Sequence, residues 1–139
     1  MNCVEKEQRP HAFVEVFALM TKGFELLAFL QQFAERSRAA NGFERGVAET
    51  IDRAELPWHV TRLGCRVEYL FRADRPRTGS DAAAGGDPLL DRLIHLYALN
   101  RGILLTPFHN MALMSPATTE ADVDRHTAVF AEAVSELRG

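Results

Sequence analysis

Five histidines are the side chains of this sequence best suited to proton transfer or metal binding. None has the i, i+4 spacing of a metal pair or a paired carboxylate beside it, so we interpret them as structural or surface residues with one exception. His109 lies between two short predicted strands, next to Phe108 and Asn110, where a polar group can face a pocket. A hydrogen bond from His109 to the backbone is the alternative. The full set is His11, His59, His95, His109 and His126.

The sequence offers few candidate nucleophiles. Cys65 lies on the apolar face of a predicted strand, without a neighbouring histidine or helix N-terminus to lower the pKa of its thiol, so we interpret it as a small hydrophobic residue. Ser115 precedes Pro116 and shows no nucleophile-elbow pattern. Only two lysines are present, Lys6 and Lys22, against 14 arginines. The residue types by themselves predict no catalytic group and no metal site.

Residues 79–86 are rich in glycine and alanine, a composition that can suggest a phosphate-binding loop. The segment lacks both the G-x-G-x-x-G and the G-K-[ST] spacing. Arg72, Arg75 and Arg77 stand nearby and can bind an anion, but arginines in such loops are usually solvated. We therefore predict an exposed, mobile surface loop over residues 75–86.

Length and composition limit the protein class. The chain has 139 residues, 47% hydrophobic and 25% charged, with a formal net charge of −3, which fits one globular domain. Mild acidity argues against a nucleic-acid partner. The longest apolar runs fall far short of the ~20 residues that cross a bilayer, and the charged N-terminus does not resemble a signal peptide. With only two cysteines, these features predict a cytoplasmic protein without a membrane partner.

The elements that must position these side chains follow from periodicity. Apolar residues at three- and four-residue intervals predict helix from His11 to Ala54, broken at Asn41-Gly42 and ended before Pro57. Alternation of apolar and polar residues predicts a strand over 65–71, antiparallel to one over 58–61.

A third helix is predicted from Asp87-Pro88, which is a typical helix start, to Gly102. Residues 103–105 and 111–114 are predicted as short strands, and Thr119 and Asp122 predict a capping box for a last helix. The order α-α-β-β-α-β-β-α indicates an α+β fold: a small, mainly antiparallel sheet of three to four strands with helices packed on one face.

Two long segments and the closing helix resemble the C-terminal small domain of class III pyridoxal-phosphate-dependent aminotransferases, and most of all the glutamate-1-semialdehyde aminomutase-like branch. The segments are LPWHVTRLGCRVEYLF (56–71) and DRLIHLYALNRGILLTPFHNMALMSPATTEADVDRH (91–126). The second has the ending typical of that family, in which a glycine precedes a strand, a small-residue loop, an acidic helix start and a final amphipathic helix. The resemblance implies a small domain over 19–139 and leaves residues 1–18 as an unmatched N-terminal segment.

The resemblance implies pyridoxal phosphate as the cofactor of the intact family, transfer of an amino group to or from a small amino acid or amino aldehyde, and a homodimer. The Schiff-base lysine and the aspartate that pairs with the pyridine nitrogen belong to the family's large domain. Neither Lys6 nor Lys22 stands in the family's lysine motif. We therefore expect a truncated chain with no catalytic and no cofactor-binding residue, inactive and without cofactor when alone. The loop Phe108, His109 and Asn110 is expected to form a wall of the active site.

Two further expectations follow from the resemblance. Some family members carry an arginine in the last strand, before a proline, which grips a substrate carboxylate. Residues 112–116 are neutral here, which argues against an arginine that binds a substrate carboxylate at this position. The alternative to an aminotransferase fragment that is inactive alone is a non-catalytic binding or assembly module. A small domain without its large domain would expose an apolar face and associate with a separately encoded large domain or with itself.

Overall fold

The computed structural model describes the backbone of residues 11–106 and 109–139, and the side chains of 21–106 and 109–139. The chain divides into two compact units, 1–34 and 35–139. The predicted division at residues 18 and 19 stays a prediction. The described elements are α1 (His11–Arg53), β1 (His59–Leu63), β2 (Arg66–Leu70), α2 (Gly79–Ala84), α3 (Pro88–Asn100), β3 (Met111–Leu113) and α4 (Glu120–Arg138). They confirm the predicted α+β class.

The three strands form one antiparallel sheet in the order β1-β2-β3. Gly64, at φ 61°, supplies the left-handed residue that the tight β1–β2 turn requires. Val60 pairs with Tyr69 and Val67 pairs with Ala112, so these side chains share one face of the sheet. That face is buried within the unit 35–139, against a core from α1, α3 and α4 that includes Phe43, Val47, Ile51, Ile94, Val123, Phe130 and Val134.

Local signals place the helix ends where the sequence predicts them. The Asp87 side chain accepts hydrogen bonds from the backbone nitrogens of Leu89 and Leu90, both at 3.1 Å, and Pro88 occupies the first turn. Thr119 and Asp122 form the predicted capping box of α4, and Gly102 has φ 76°. These contacts satisfy amide groups that a helix leaves unpaired at its start.

The end of α1 is less regular. Glu55 adopts φ 50°, a left-handed conformation that favours glycine. The backbone nitrogen of Glu55 donates to Asp52 O and that of Leu56 to Ile51 O, both at 3.1 Å. This hydrogen-bond pattern closes the helix immediately before Pro57.

Three details differ from the sequence-based prediction. The helix does not break at Asn41-Gly42, because a helix tolerates an isolated glycine; a Cβ at Gly42 would lie 3.5 Å from Val123 Cγ1 of α4, an ordinary packing distance. Residues 103–105 form no strand; the backbone nitrogen of Ile103 donates back to Ala98 O of α3, at 3.0 Å, instead of to a neighbouring strand. The predicted loop 75–86 contains the short helix α2, whose start is capped by the Thr78 hydroxyl. The observed order is therefore α-β-β-α-α-β-α.

Among the residues that the structure describes, no helix combines the length and the apolar character needed to cross a membrane.

Candidate functional site

A pocket of about 650 Å³ lies on the face of the sheet that points away from the core. The alternation along β2 that buries Val67 and Tyr69 turns Arg66 and Glu68 toward this side. The segment 75–88, which includes α2, and the start of α3 form the opposite walls. We call this cavity the polar pocket. Its ionisable lining residues are Arg66, Glu68, Arg75, Asp87, Asp91 and His109.

Glu68 holds two basic side chains in the polar pocket. Its Oε2 accepts a hydrogen bond from Arg66 Nη2 at 2.7 Å, and its Oε1 lies 3.2 Å from His109 Nδ1. The Glu68 side chain is 17% exposed, whereas that of His109 is 55% exposed. The carboxylate therefore orients an imidazole that solvent or a ligand can reach, and His109 pairs with a side chain rather than with the backbone.

Asn110 holds a second carboxylate beside this pair. It is buried, and its Nδ2 donates to Asp91 Oδ1 at 2.6 Å, while its backbone oxygen accepts from Tyr69 N at 3.1 Å. Asn110 therefore links the start of α3, through its side-chain amide, to strand β2, through its backbone oxygen. Burial raises the pKa of Asp91; the Asn110 hydrogen bond opposes this rise, and so does the charge of His109.

These contacts give the polar pocket two distinct carboxyl groups. The Glu68 carboxylate is paired with Arg66 and His109. Asp91 is bound to Asn110 instead, and burial raises the pKa of its carboxyl group. The pocket can therefore bind a hydrogen-bonding or cationic group at Asp91 and exchange a proton at His109.

The structure brings together two of the three predicted wall residues. His109 and Asn110 line the same pocket, and Phe108 lies outside the described residues. Glu68 and Asp91 were not predicted from the sequence. Strand alternation places Glu68 on the outer face and the Asp87-Pro88 start places Asp91 in the first turn of α3, but neither signal indicates that the two contact the 109–110 segment.

The cofactor that the resemblance implies requires a lysine, and the polar pocket does not provide one. Its lining contains no lysine, and the only lysine among the described residues is Lys22, whose side chain is exposed on α1. Arg66 is already paired with Glu68. The pocket therefore does not fit covalent attachment of pyridoxal phosphate. No group of histidine, cysteine and acidic side chains in residues 21–106 and 109–139 is arranged to hold a metal ion.

Comparison with known sequences finds similarity to parts of larger enzymes. No family model matches the sequence. The chain is 34% identical over 95 residues to glutamate-1-semialdehyde 2,1-aminomutase of Thermomicrobium roseum, a match that covers 68% of this chain and 22% of that protein. It is 30% identical over 120 residues to glutamate-1-semialdehyde 2,1-aminomutase 2 of Bacillus licheniformis, covering 84% and 27%. The chain spans about a quarter of the length of the curated relatives it matches.

Solved structures agree with this similarity. A glutamate-1-semialdehyde aminomutase from Pseudomonas aeruginosa PAO1 superposes with a TM-score of 0.73 at 47% identity, over 76% of this chain and 23% of that one. A variant of that enzyme was solved in complex with PMP. An omega-transaminase from Sphaerobacter thermophilus superposes with a TM-score of 0.66 at 22% identity, over 78% and 25%, and this likeness concerns the fold alone. Each match is confined to part of a larger protein.

Proposed function

Since this chain is homologous to a part of the glutamate-1-semialdehyde aminomutases and related class III transaminases, we propose that it serves as the small-domain portion of a pyridoxal-phosphate-dependent enzyme that transfers an amino group. In this proposal the chain acts in the cytoplasm beside a large domain that supplies the cofactor site. The substrate is a small amino acid or amino aldehyde. The observation that carries the proposal is the 47% identical structural match, which spans 76% of this chain.

We assign the polar pocket of this chain to the wall of the active site. His109 is exposed enough to meet a bound molecule and is oriented by Glu68 at 3.2 Å. Asn110 is buried and fixes Asp91 at 2.6 Å. The chain's own contribution is therefore to orient polar groups and exclude water, while the bound cofactor would supply the electron sink for amino-group transfer.

We further propose that the chain is inactive alone, because the polar pocket has no lysine in its lining. The test mixes the purified chain with pyridoxal phosphate and reduces the mixture with borohydride. We expect no stoichiometric adduct by mass spectrometry and no transamination. A single stable adduct together with turnover would overturn the claim, and the Lys22→Arg variant would show whether Lys22 carries that adduct.

The assignment of His109 to the wall of the active site is tested by adding a large domain from a relative. A large domain expressed separately from the Pseudomonas aeruginosa relative is mixed with this chain, and aminomutase activity is measured. We expect activity from the mixture, and a lower activity with His109→Ala at an unchanged melting temperature. Asn100→Ala is the matched control, since Asn100 is exposed at the end of α3. An active mixture that is insensitive to His109→Ala removes His109 from the wall.

A second function, that of a binding or assembly module, is favoured by a specific observation. Six large apolar side chains of α1 are each at least 50% exposed, and exposed apolar patches of this kind mark interaction sites. We call them the apolar strip; they are Phe24, Leu26, Leu27, Phe29, Leu30 and Phe33. In this alternative the strip binds the separately encoded large domain or a second copy of the chain.

Light scattering over a range of concentrations tests this alternative. We expect the mass to rise with concentration and the rise to vanish in the double variant Leu27→Gln, Leu30→Gln. Leu63→Gln is the matched control, because Leu63 is 78% exposed on β1, outside the strip. A monodisperse monomer that also fails to restore activity to the large domain would exclude the assembly function.

A further inference from the structure

One segment of the chain covers the polar pocket on the side opposite the sheet. Residues 75–88, which include α2, form this wall, and we call the segment the strap. None of its residues, all of which the structure describes, is buried. A segment that buries no side chain gains little from the hydrophobic effect and opens at a low cost in free energy. Polar contacts must therefore hold the strap against the pocket.

Arg72 supplies those polar contacts. Its Nη1 donates to Asp81 O at 2.8 Å, and its Nη1 and Nη2 each lie 3.5 Å from Asp81 Oδ1. Among the described residues, no other hydrogen bond joins α2 to a residue more than four positions away. One guanidinium group therefore connects α2 to the rest of the unit 35–139.

The position of this guanidinium group is itself fixed from two sides. The backbone oxygen of Arg72 accepts a hydrogen bond from His59 Nδ1, at the start of β1, at 2.7 Å. A Cβ at Gly85 would come within 2.7 Å of Arg72 Cζ and 2.9 Å of Arg72 Cδ, which is closer than nonbonded atoms approach each other. A side chain at position 85 would therefore displace the guanidinium group from α2.

The strap shields a polar pair in the pocket. Asn110 is 5% exposed, and its Nδ2 donates to Asp91 Oδ1 at 2.6 Å. Both residues line the same cavity as the strap, whereas Arg72 is not one of the described residues that line it. Arg72 therefore acts on the pocket through the strap, without contacting a molecule bound there.

We propose that the strap is a lid of the polar pocket and that Arg72 is the positioning residue that holds this lid closed. Opening admits solvent or a ligand to the pair of Asn110 and Asp91, and closing excludes water from it. The contribution of the lid to amino-group transfer rests on the function proposed above. Its motion does not, because it is measured on this chain alone, so either proposal can fail without the other.

The urea dependence of hydrogen exchange, measured by NMR, shows whether the lid opens in the wild type. The Asn110 Nδ2 protons report on the pocket, and the backbone amide of Phe130, a buried residue of α4, reports on the core. Local opening exposes little surface, so we expect exchange at Asn110 to be almost independent of urea and exchange at Phe130 to rise steeply with it. Equal urea slopes would overturn the lid, because the pocket would then open only by global unfolding.

Replacement of Arg72 tests which residue holds the lid. Arg72→Ala removes a charged hydrogen-bond donor, so we expect exchange at Asn110 about tenfold faster and still independent of urea. Arg72→Lys, which keeps the charge but not the planar donor group, should give a smaller increase. Val47→Ala is the control for lost stability, since it truncates a core residue and should accelerate exchange at Phe130 but not at Asn110. An unchanged rate at Asn110 in Arg72→Ala, or a tenfold increase in Val47→Ala, would overturn the role of Arg72.

Gly85→Ala tests the same contact while leaving Arg72 in place. The added methyl group displaces the guanidinium, so exchange at Asn110 should accelerate, and the double variant with Arg72→Ala should exchange no faster than Arg72→Ala alone. Gly79→Ala is the matched control in the same strap, because a Cβ there meets no atom within 4 Å. Additive effects in the double variant, or equal acceleration in Gly79→Ala, would contradict the proposal. The wild-type urea dependence remains decisive if a variant does not fold.

Discussion

Both parts of α1 carry several large apolar residues, but these residues differ in burial. Phe43, Val47 and Ile51 repeat every four residues, and each is at most 3% exposed. The six residues of the apolar strip, which come earlier in α1, are each at least 50% exposed. Helical periodicity therefore reports which side of a helix is apolar, and it does not report whether another element covers that side.

Glycines show the same contrast at atomic scale. A Cβ at Gly46 would come within 2.7 Å of Thr127 Cγ2 of α4, whereas a Cβ at Gly23 would meet no atom within 4 Å. Within the unit 35–139, α1 and α4 are therefore in close contact, and small residues of α1 are required there. A glycine of the exposed part has no such packing constraint.

Truncation of one phenylalanine in each part should give the largest difference. Phe43 is 2% exposed and stacks on His126, so Phe43→Ala should lower the free energy of unfolding by about 3–5 kcal/mol. Phe24, 67% exposed, should change it by less than about 0.5 kcal/mol when replaced by alanine. Urea denaturation followed by circular dichroism measures both. Similar losses in the two variants would show that the strip is covered in solution.

Acid should lower the stability of the unit 35–139, because His126 is buried in it. Its pKa is about 4 in the folded protein against 6.5 for an ordinary histidine, so the unfolded chain binds the proton first as the pH falls. Stability is then fully present above pH 6.5 and decreases toward pH 4, by about 3 kcal/mol from this residue. The measurement is the unfolding free energy of the wild type and of His126→Phe at several pH values. A constant difference between the two proteins over this range would refute the expectation.

Alanine at the two glycines should act in opposite directions. Gly46→Ala gains helix propensity but forces the Thr127 side chain aside, and overpacking of this kind costs about 1–3 kcal/mol. Gly23→Ala has open space and should add up to about 1 kcal/mol of helix stability. Thermal melting curves of both variants test the signs. A stabilised Gly46→Ala would mean that α4 moves away from α1 at little cost.

The sequence predicted those parts of the fold that depend on neighbouring residues. The caps at Asp87 and Thr119 and the turn at Gly102 rest on contacts within a few positions, and all three are present. The predicted break at Asn41-Gly42 was wrong, since α1 continues through both residues and packs there against Val123 of α4, 81 positions after Gly42. A glycine in a helical pattern has the same local signature whether it ends the helix or admits a neighbour.

The candidate site shows the same limit. Local context was enough to single out His109 and Asn110, which lie in a short loop between apolar runs. Their partners Glu68 and Asp91 are 41 and 19 positions away, and no pattern in one sequence connects them. Side-chain pairs across such distances depend on strand pairing and helix placement, which a single sequence leaves open.

The left-handed residue that closes α1 has a consequence for engineering heat resistance. Glu55 holds φ 50° at a position where a side chain adds steric strain and glycine does not. Glu55→Gly should therefore raise the melting temperature slightly, with a gain of up to about 1 kcal/mol offset in part by the greater freedom of glycine in the unfolded chain. This position lies outside the polar pocket, so a more durable scaffold could be made without altering that candidate site.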